Sequence, residues 1–180
     1  ANFFGELFYK NKHFCLKLFK HYINSLSLTL KNLGININTI PVLDILRNNT
    51  NKVIGNRSFS KDKKIVKELG LATLKYLHKN KILGVIKHIP GHGASNLDSH
   101  KILPKISLSP KKLNNIDFYP FKTSDSKNEF LKGLKILDIG CGGFVSEING
   151  KRYELGAKDI LATNDSLHQK LQSVLSSVSP

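Results

Sequence analysis

Gly84–Val85–Ile86–Lys87–His88 passes directly into Ile89–Pro90–Gly91–His92–Gly93, a short apolar run followed by a loop dense in glycine, proline and histidine. The run predicts a short strand, and the loop a sharp turn at its C-terminal end. Upstream, Ile65, Val66, Leu69, Ala72, Thr73, Tyr76 and Leu77 recur at three- and four-residue steps, which predicts an amphipathic helix with Ser60 as its N-cap. A polar loop, Arg47 to Ser60, precedes that helix. Before the loop stands Ile35–Asn36–Ile37–Asn38–Thr39–Ile40–Pro41–Val42–Leu43–Asp44, rich in β-branched residues. It predicts a buried strand with Pro41 at or near its end, because proline cannot donate to a central ladder. Earlier still, Leu16, Phe19, Ile23, Leu26, Leu30 and Leu33 predict a helix closing at Gly34.

Strand, loop, helix and strand make a βαβ unit, whose crossover predicts a parallel sheet covered by helices. In such folds the polar residues just past the C-terminal strand ends face the active site. Asp44, Lys87 and His88 hold those positions, and Arg57, His92, Asp98 and His100 sit in the adjoining loops. That convergence is the first functional signal in the chain.

The 180 residues suffice for an ordinary domain, but a complete (β/α)₈ barrel usually needs roughly 250. Cys15 and Cys141 stand far apart, without partners at metal-ligand spacing, which argues against a disulfide scaffold or zinc ribbon and for a reducing compartment. No apolar run approaches the length of a membrane span, and no secretory pattern follows Ala1. The expectation is a soluble, cytoplasmic α/β protein. A net charge of +15 invites a nucleic-acid reading. The arginines are only Arg47, Arg57 and Arg152, however, and the lysines are spread along the whole chain without interleaved aromatic residues. A solvated lysine surface is the better reading.

The series Val53–Ile54–Gly55–Asn56–Arg57–Ser58–Phe59–Ser60, Lys87–His88–Ile89–Pro90–Gly91–His92–Gly93, Asp98–Ser99–His100 and Leu103–Pro104 resembles the N-terminal catalytic barrel of glycoside hydrolase family 3. The likeness is to its bacterial β-N-acetylglucosaminidases (β-hexosaminidases), and it runs from about Phe4 to Phe121. It includes Pro41–Val42–Leu43–Asp44 and Asp117–Phe118–Tyr119–Pro120–Phe121. The resemblance implies an incomplete TIM-type (β/α) barrel over residues 1–122. It also implies retaining hydrolysis of terminal β-N-acetylglucosamine from cell-wall muropeptides or oligosaccharides. By the same resemblance His100 is the acid/base, oriented by Asp98, while Arg57, Lys87 and His88 bind the sugar. No cofactor or metal is implied.

The chemistry suits those residue types. Glycoside hydrolysis needs a proton donor for the leaving oxygen and an anionic partner at the anomeric carbon. Histidine titrates near neutrality, and a carboxylate beside it fixes its orientation. Gly91 and Gly93 would let the loop bend so that its histidines turn inward. Blander readings stand beside these. Asp98–Ser99–His100 could be a local hydrogen-bonded turn, Lys87 a surface lysine, and Arg57 the partner of a carboxylate that shapes the loop. His92 reads as a structural hydrogen-bonder, and Asp44 as a residue that orients its neighbours.

The family's Asp-Gln-Glu-Gly-Gly-Arg segment is expected upstream of the part present here. Its Ser-Asp-Asp or Thr-Asp-Asp nucleophile string has no matched counterpart downstream, Thr163–Asn164–Asp165 being the nearest. A catalytically dead or sugar-binding remnant, or a partner chain supplying further barrel strands, is the alternative expectation. Residues 123–130 read as a polar linker to a C-terminal extension, 131–180. Within it Leu131–Lys132–Gly133–Leu134–Lys135–Ile136–Leu137–Asp138–Ile139–Gly140–Cys141–Gly142–Gly143 resembles the first motif of class I S-adenosylmethionine-dependent methyltransferases. Leu155–Gly156–Ala157–Lys158 and Asp165 would be its second element, but a lone glycine loop is a weak signal.

Overall fold

The computed structural model describes residues 1–88, 91–97, 106, 108–122, 144–146, 151, 161–163, 169, 172 and 173. Helix α1 (Asn2–Lys10) is followed by α2 (Lys12–Asn32), with Asn11 between them accepting from the Phe14 amide as N-cap. Helix α2 ends where expected: Gly34 takes φ +76°, a left-handed conformation that glycine adopts without Cβ strain. The predicted apolar stripe is buried at Phe19 and Ile23, whereas Leu33, at the C-cap, is 69% exposed. Leu33 stands one residue beyond the end of the helix, Asn32.

Strand β1 (Ile37–Asn38) pairs in parallel with β2 (Leu83–Gly84), and α3 (Lys63–Lys79) makes the crossover between them. This is the βαβ unit that the periodicity implied. The ladder is interrupted and then resumes. Ile37 stands opposite Leu83 and Asn38 opposite Gly84, but the next bridge joins Val42 to Lys87, so the first strand carries one extra residue. The extra residue falls in the stretch holding Pro41, which has no N–H for the ladder. The expected buried strand over 35–44 is therefore corrected. Pro41 to Ile45 are buried, but Ile35 and Ile37 are exposed, because β2 is the only strand that pairs with β1 among the described residues.

Asp62, not Ser60, caps α3: its carboxylate accepts from the Lys64 amide, while Ser60 Oγ accepts from the Asp62 amide. Helices α1, α2 and α3 pack over the strand pair. Phe8, Cys15, Phe19, Ile23, Val66, Leu69 and Leu77 meet Leu43, Ile45, Ile82 and Ile86 in one core. Phe19 holds Phe4 and Phe59 edge-on, with ring centroids 4.7 and 5.8 Å away. Helix α1 approaches this core closely enough that a Cβ on Gly5 would overlap the Phe59 carbonyl. Burial of this apolar surface supplies the main favourable term for the fold.

A short helix α4 (Pro110–Asn115), capped by Ser109, leads into a 3₁₀ turn over Tyr119–Phe121. That turn lies against α3, where the Lys63 ammonium sits 4.7 Å from the Tyr119 ring centroid. Farther along, β3 (Phe144–Ser146) and β4 (Leu161–Thr163) form an antiparallel pair, with Val145 opposite Ala162. The methyltransferase-like stretch Leu131–Gly143, residues Leu155–Lys158, Asp165 and the linker 123–130 lie outside the described residues. No described helix is long and apolar enough to cross a membrane.

Candidate active site

The parallel bridge between Val42 and Lys87 brings the C-terminal ends of both strands side by side. The Leu43 amide donates to the Lys87 carbonyl, and the Lys87 amide to the Pro41 carbonyl. Two residues beyond Val42 and one beyond Lys87, Asp44 meets His88. The Lys87–His88 peptide bond is cis.

Asp44 is fully buried as a side chain, a costly place for a carboxylate unless both oxygens are bonded. Its Oδ2 lies 2.6 Å from His88 Nδ1, and its Oδ1 accepts the His92 backbone amide at 2.6 Å. An ionised carboxylate can only accept, so in that state the bond to Asp44 requires the proton on His88 Nδ1. The His92 ring stands edge-on to that of His88, centroids 5.1 Å apart. Asp44 thus orients its neighbours, and His92 contributes a structural amide to it.

Lys87 is only 8% exposed, so it is not one of the solvated surface lysines. Arg57 reaches the same strand end through its neighbour. The Ser58 hydroxyl, buried, donates to the Asp44 carbonyl at 2.6 Å and fixes the 3₁₀ turn Gly55–Arg57 beside it. The Arg57 guanidinium is exposed and donates to the Val53 carbonyl at 3.0 Å. The structure therefore brings Asp44, Lys87, His88, His92 and the Arg57 turn to one end of the strand pair. Asp98 and His100 lie outside the described residues.

Both loop glycines are required by close approach. Gly91 has φ +118°, and a Cβ there would stand 3.1 Å from Asp117 Oδ1. Gly93 is tighter: its Cβ would fall 2.0 Å from the Ile45 carbonyl oxygen. Asp117 itself is buried and takes the two terminal nitrogens of Arg47 on its two oxygens, at 2.9 and 2.8 Å. Sequence reasoning did not place Arg47 in the site, and it read Asp117 only as part of a motif. Among the described residues no group of three or more His, Cys, Asp or Glu side chains gathers as metal ligands would.

Comparison with known proteins places the chain in a family. The family described as "Glycosyl hydrolase family 3 N terminal domain" matches residues 15–129. Among curated proteins, a stretch of 92 residues is 42% identical to beta-hexosaminidase A of Pseudoalteromonas piscicida, covering 51% of this chain and 15% of that protein. Beta-hexosaminidase of Neisseria meningitidis is 42% identical over 89 residues, 49% of this chain and 24% of the relative. Among solved structures, NagZ from Neisseria gonorrhoeae in complex with N-trifluoroacetyl-D-glucosamine is similar with a TM-score of 0.67 and 30% identity. That likeness covers 77% of this chain and 40% of NagZ. A family 3 β-N-acetylglucosaminidase from Paenibacillus is similar at a TM-score of 0.56 and 33% identity, over 59% of this chain and 20% of that one. The chain thus spans well under half the length of these relatives, and its parallel βαβ unit is a part of an α/β barrel of the TIM type.

Proposed function

The chain belongs to glycosyl hydrolase family 3, and we propose that its residues 1–122 form part of the barrel and sugar site of a β-N-acetylhexosaminidase. On this reading, residues 123–130 are a linker and 131–180 an appended segment. The substrate is a terminal β-linked N-acetylglucosamine on a cell-wall muropeptide or oligosaccharide, met in the cytoplasm. Arg57, Lys87 and His88 hold the sugar, their N–H donors suiting hydroxyl groups and the N-acyl carbonyl oxygen. His100, oriented by Asp98, gives its proton to the departing glycosidic oxygen and recovers one from the water that completes hydrolysis.

The observation that carries the proposal is the double grip of Asp44 on the His88 ring and the His92 amide, beside buried Lys87. A carboxylate spent on orienting a histidine at paired strand ends is the arrangement a polar ligand site needs. The similarity to NagZ in complex with N-trifluoroacetyl-D-glucosamine supports an N-acylated glucosamine as the ligand. Retaining hydrolysis also needs an anionic nucleophile, and a partner chain that supplies further barrel strands would bring it.

A second reading is sugar binding without turnover: the residues gathered at the strand ends, Asp44, Lys87 and His88, suit polar contacts to a sugar. A chromogenic β-N-acetylglucosaminide separates the two. Turnover by the 180-residue chain that is abolished in His100→Ala supports the hydrolase. Absence of turnover, with N-acetylglucosamine still bound, supports the binding reading.

A further inference from the structure

Arg47 and Thr50, three positions apart, and the distant Asp117 converge on the loop that carries His92. Arg47 spans to Asp117 with two parallel N–H···O bonds across 70 residues of chain. The Asp117 side chain is 1% exposed and lies against the backbone of Gly91, the residue before His92. On the other side of His92, the Gly93 carbonyl accepts from the Thr50 hydroxyl at 2.7 Å. That same hydroxyl oxygen accepts from the Arg47 backbone amide at 2.7 Å. Arg47 therefore holds the loop twice: through its guanidinium and Asp117 on the Gly91 side, and through its amide and Thr50 on the Gly93 side.

The attachment continues along the loop. The Asn51 amide donates to the Ser95 carbonyl, and Asn51 Nδ2 donates to the Asn96 carbonyl at 2.8 Å. Every one of these tethers comes from the segment just past the first strand or, at Asp117, from the turn seated on α3. Between them lies the His92 amide, whose bond to Asp44 helps satisfy the carboxylate that orients His88.

We propose that Arg47, Thr50 and Asp117 are positioning residues of the site: they clamp the loop on both sides of His92, so that its amide stays on Asp44 and Asp44 keeps the His88 ring in place. A bidentate guanidinium–carboxylate pair suits this task because it fixes direction as well as distance. The hydroxyl of Thr50, acting as acceptor and donor at once, transmits the position of the Arg47 backbone to the Gly93 carbonyl. The functional meaning of the clamp rests on the reading of Asp44, His88 and Lys87 as a sugar site; the clamp itself does not.

The test is amide hydrogen exchange on the ¹⁵N-labelled 180-residue chain, comparing His92 with Leu69 and Thr73 in the core of α3. Arg47→Lys keeps the charge but not the fork, and Thr50→Val keeps the shape but not the hydroxyl. In both variants the His92 amide should exchange roughly tenfold faster while the α3 amides keep their wild-type rates, as local opening of one loop requires. A merely structural role would speed all three amides together, and that result overturns the proposal. Unchanged exchange at His92 in both variants overturns it as well. Thr50→Val removes no charge and reports on the clamp even if Arg47→Lys fails to fold. Wild-type failure to bind N-acetylglucosamine, with the exchange result intact, would remove the sugar reading and leave the clamp standing.

Discussion

Asp44 Oδ2 stands 2.6 Å from His88 Nδ1, although the two residues are 44 positions apart and arrive on different strands. The carboxylate is inaccessible to solvent, so its two bonds, to that ring and to the His92 amide, replace the water it gave up. Charged hydrogen bonds of this kind contribute about 1.5–3 kcal/mol each, and their loss strands the buried donor. Asp44→Ala is expected to destabilise the chain by about 3 kcal/mol in chemical denaturation, and Asp44→Asn by less, because the amide oxygen still accepts one bond.

The two glycines at 34 and 93 should respond differently to alanine. At Gly93 a Cβ would stand 2.0 Å from a backbone oxygen that cannot rotate away. The loop or the strand end must shift, at a cost of about 2 kcal/mol or more. Gly34 has open space around its Cβ position, so only its φ of +76° opposes substitution. Gly34→Ala should therefore cost about 1–2 kcal/mol, the penalty of a left-handed alanine. Thermal unfolding of both variants measures the difference; equal losses would mean that Gly93 does not pack against Ile45 as described.

Cys15 is fully buried, its Sγ donating to the Phe4 carbonyl at 3.2 Å, and burial raises its thiol above the ordinary value. Because the folded state favours the protonated thiol and the thiolate is the reactive form, native Cys15 should resist alkylation near neutral pH. In a Cys141→Ser background, reagent should be taken up only after denaturant is added. Rapid labelling of the native chain would show that the α1–α2 seam opens.

At the start of α3, Asp62→Ala should cost about 1 kcal/mol through loss of the cap on the Lys64 amide. Ser60→Ala should cost less, since its hydroxyl supports only the Asp62 amide outside the helix. A larger loss at Ser60 would restore the cap assignment that the sequence suggests.

The meeting of Asp44 with Lys87 and His88 was legible because strand ends are predictable from local pattern. Alternating β-branched runs broken by polar residues put Asp44, Lys87 and His88 at one end of a parallel pair, and the glycine spacing marked the loop. What was illegible depended on contacts across long separations. Arg47 stands in a polar loop without any local pattern, and only the folded turn at 116–121, seated on α3, brings Asp117 to it. Ser60 and Asp62 are both good caps two residues apart, and the path of the chain into α3 decides between them. The exposure of Ile35 and Ile37 could not be read from their own side chains, because β-branched composition says nothing of which neighbouring strand is present.

The most direct test of the central claim, that the Asp44–His88 strand ends form a site for N-acetylglucosamine, is NMR titration of the 180-residue chain with that sugar while the His88 and His92 signals are followed. The account predicts saturable shifts of both, reduced roughly tenfold or more in apparent affinity by Lys87→Ala, as expected when a buried polar contact to a ligand is lost. Signals that stay fixed in the wild-type chain at millimolar sugar, the weak end of specific binding at roughly 1 mM, would contradict it.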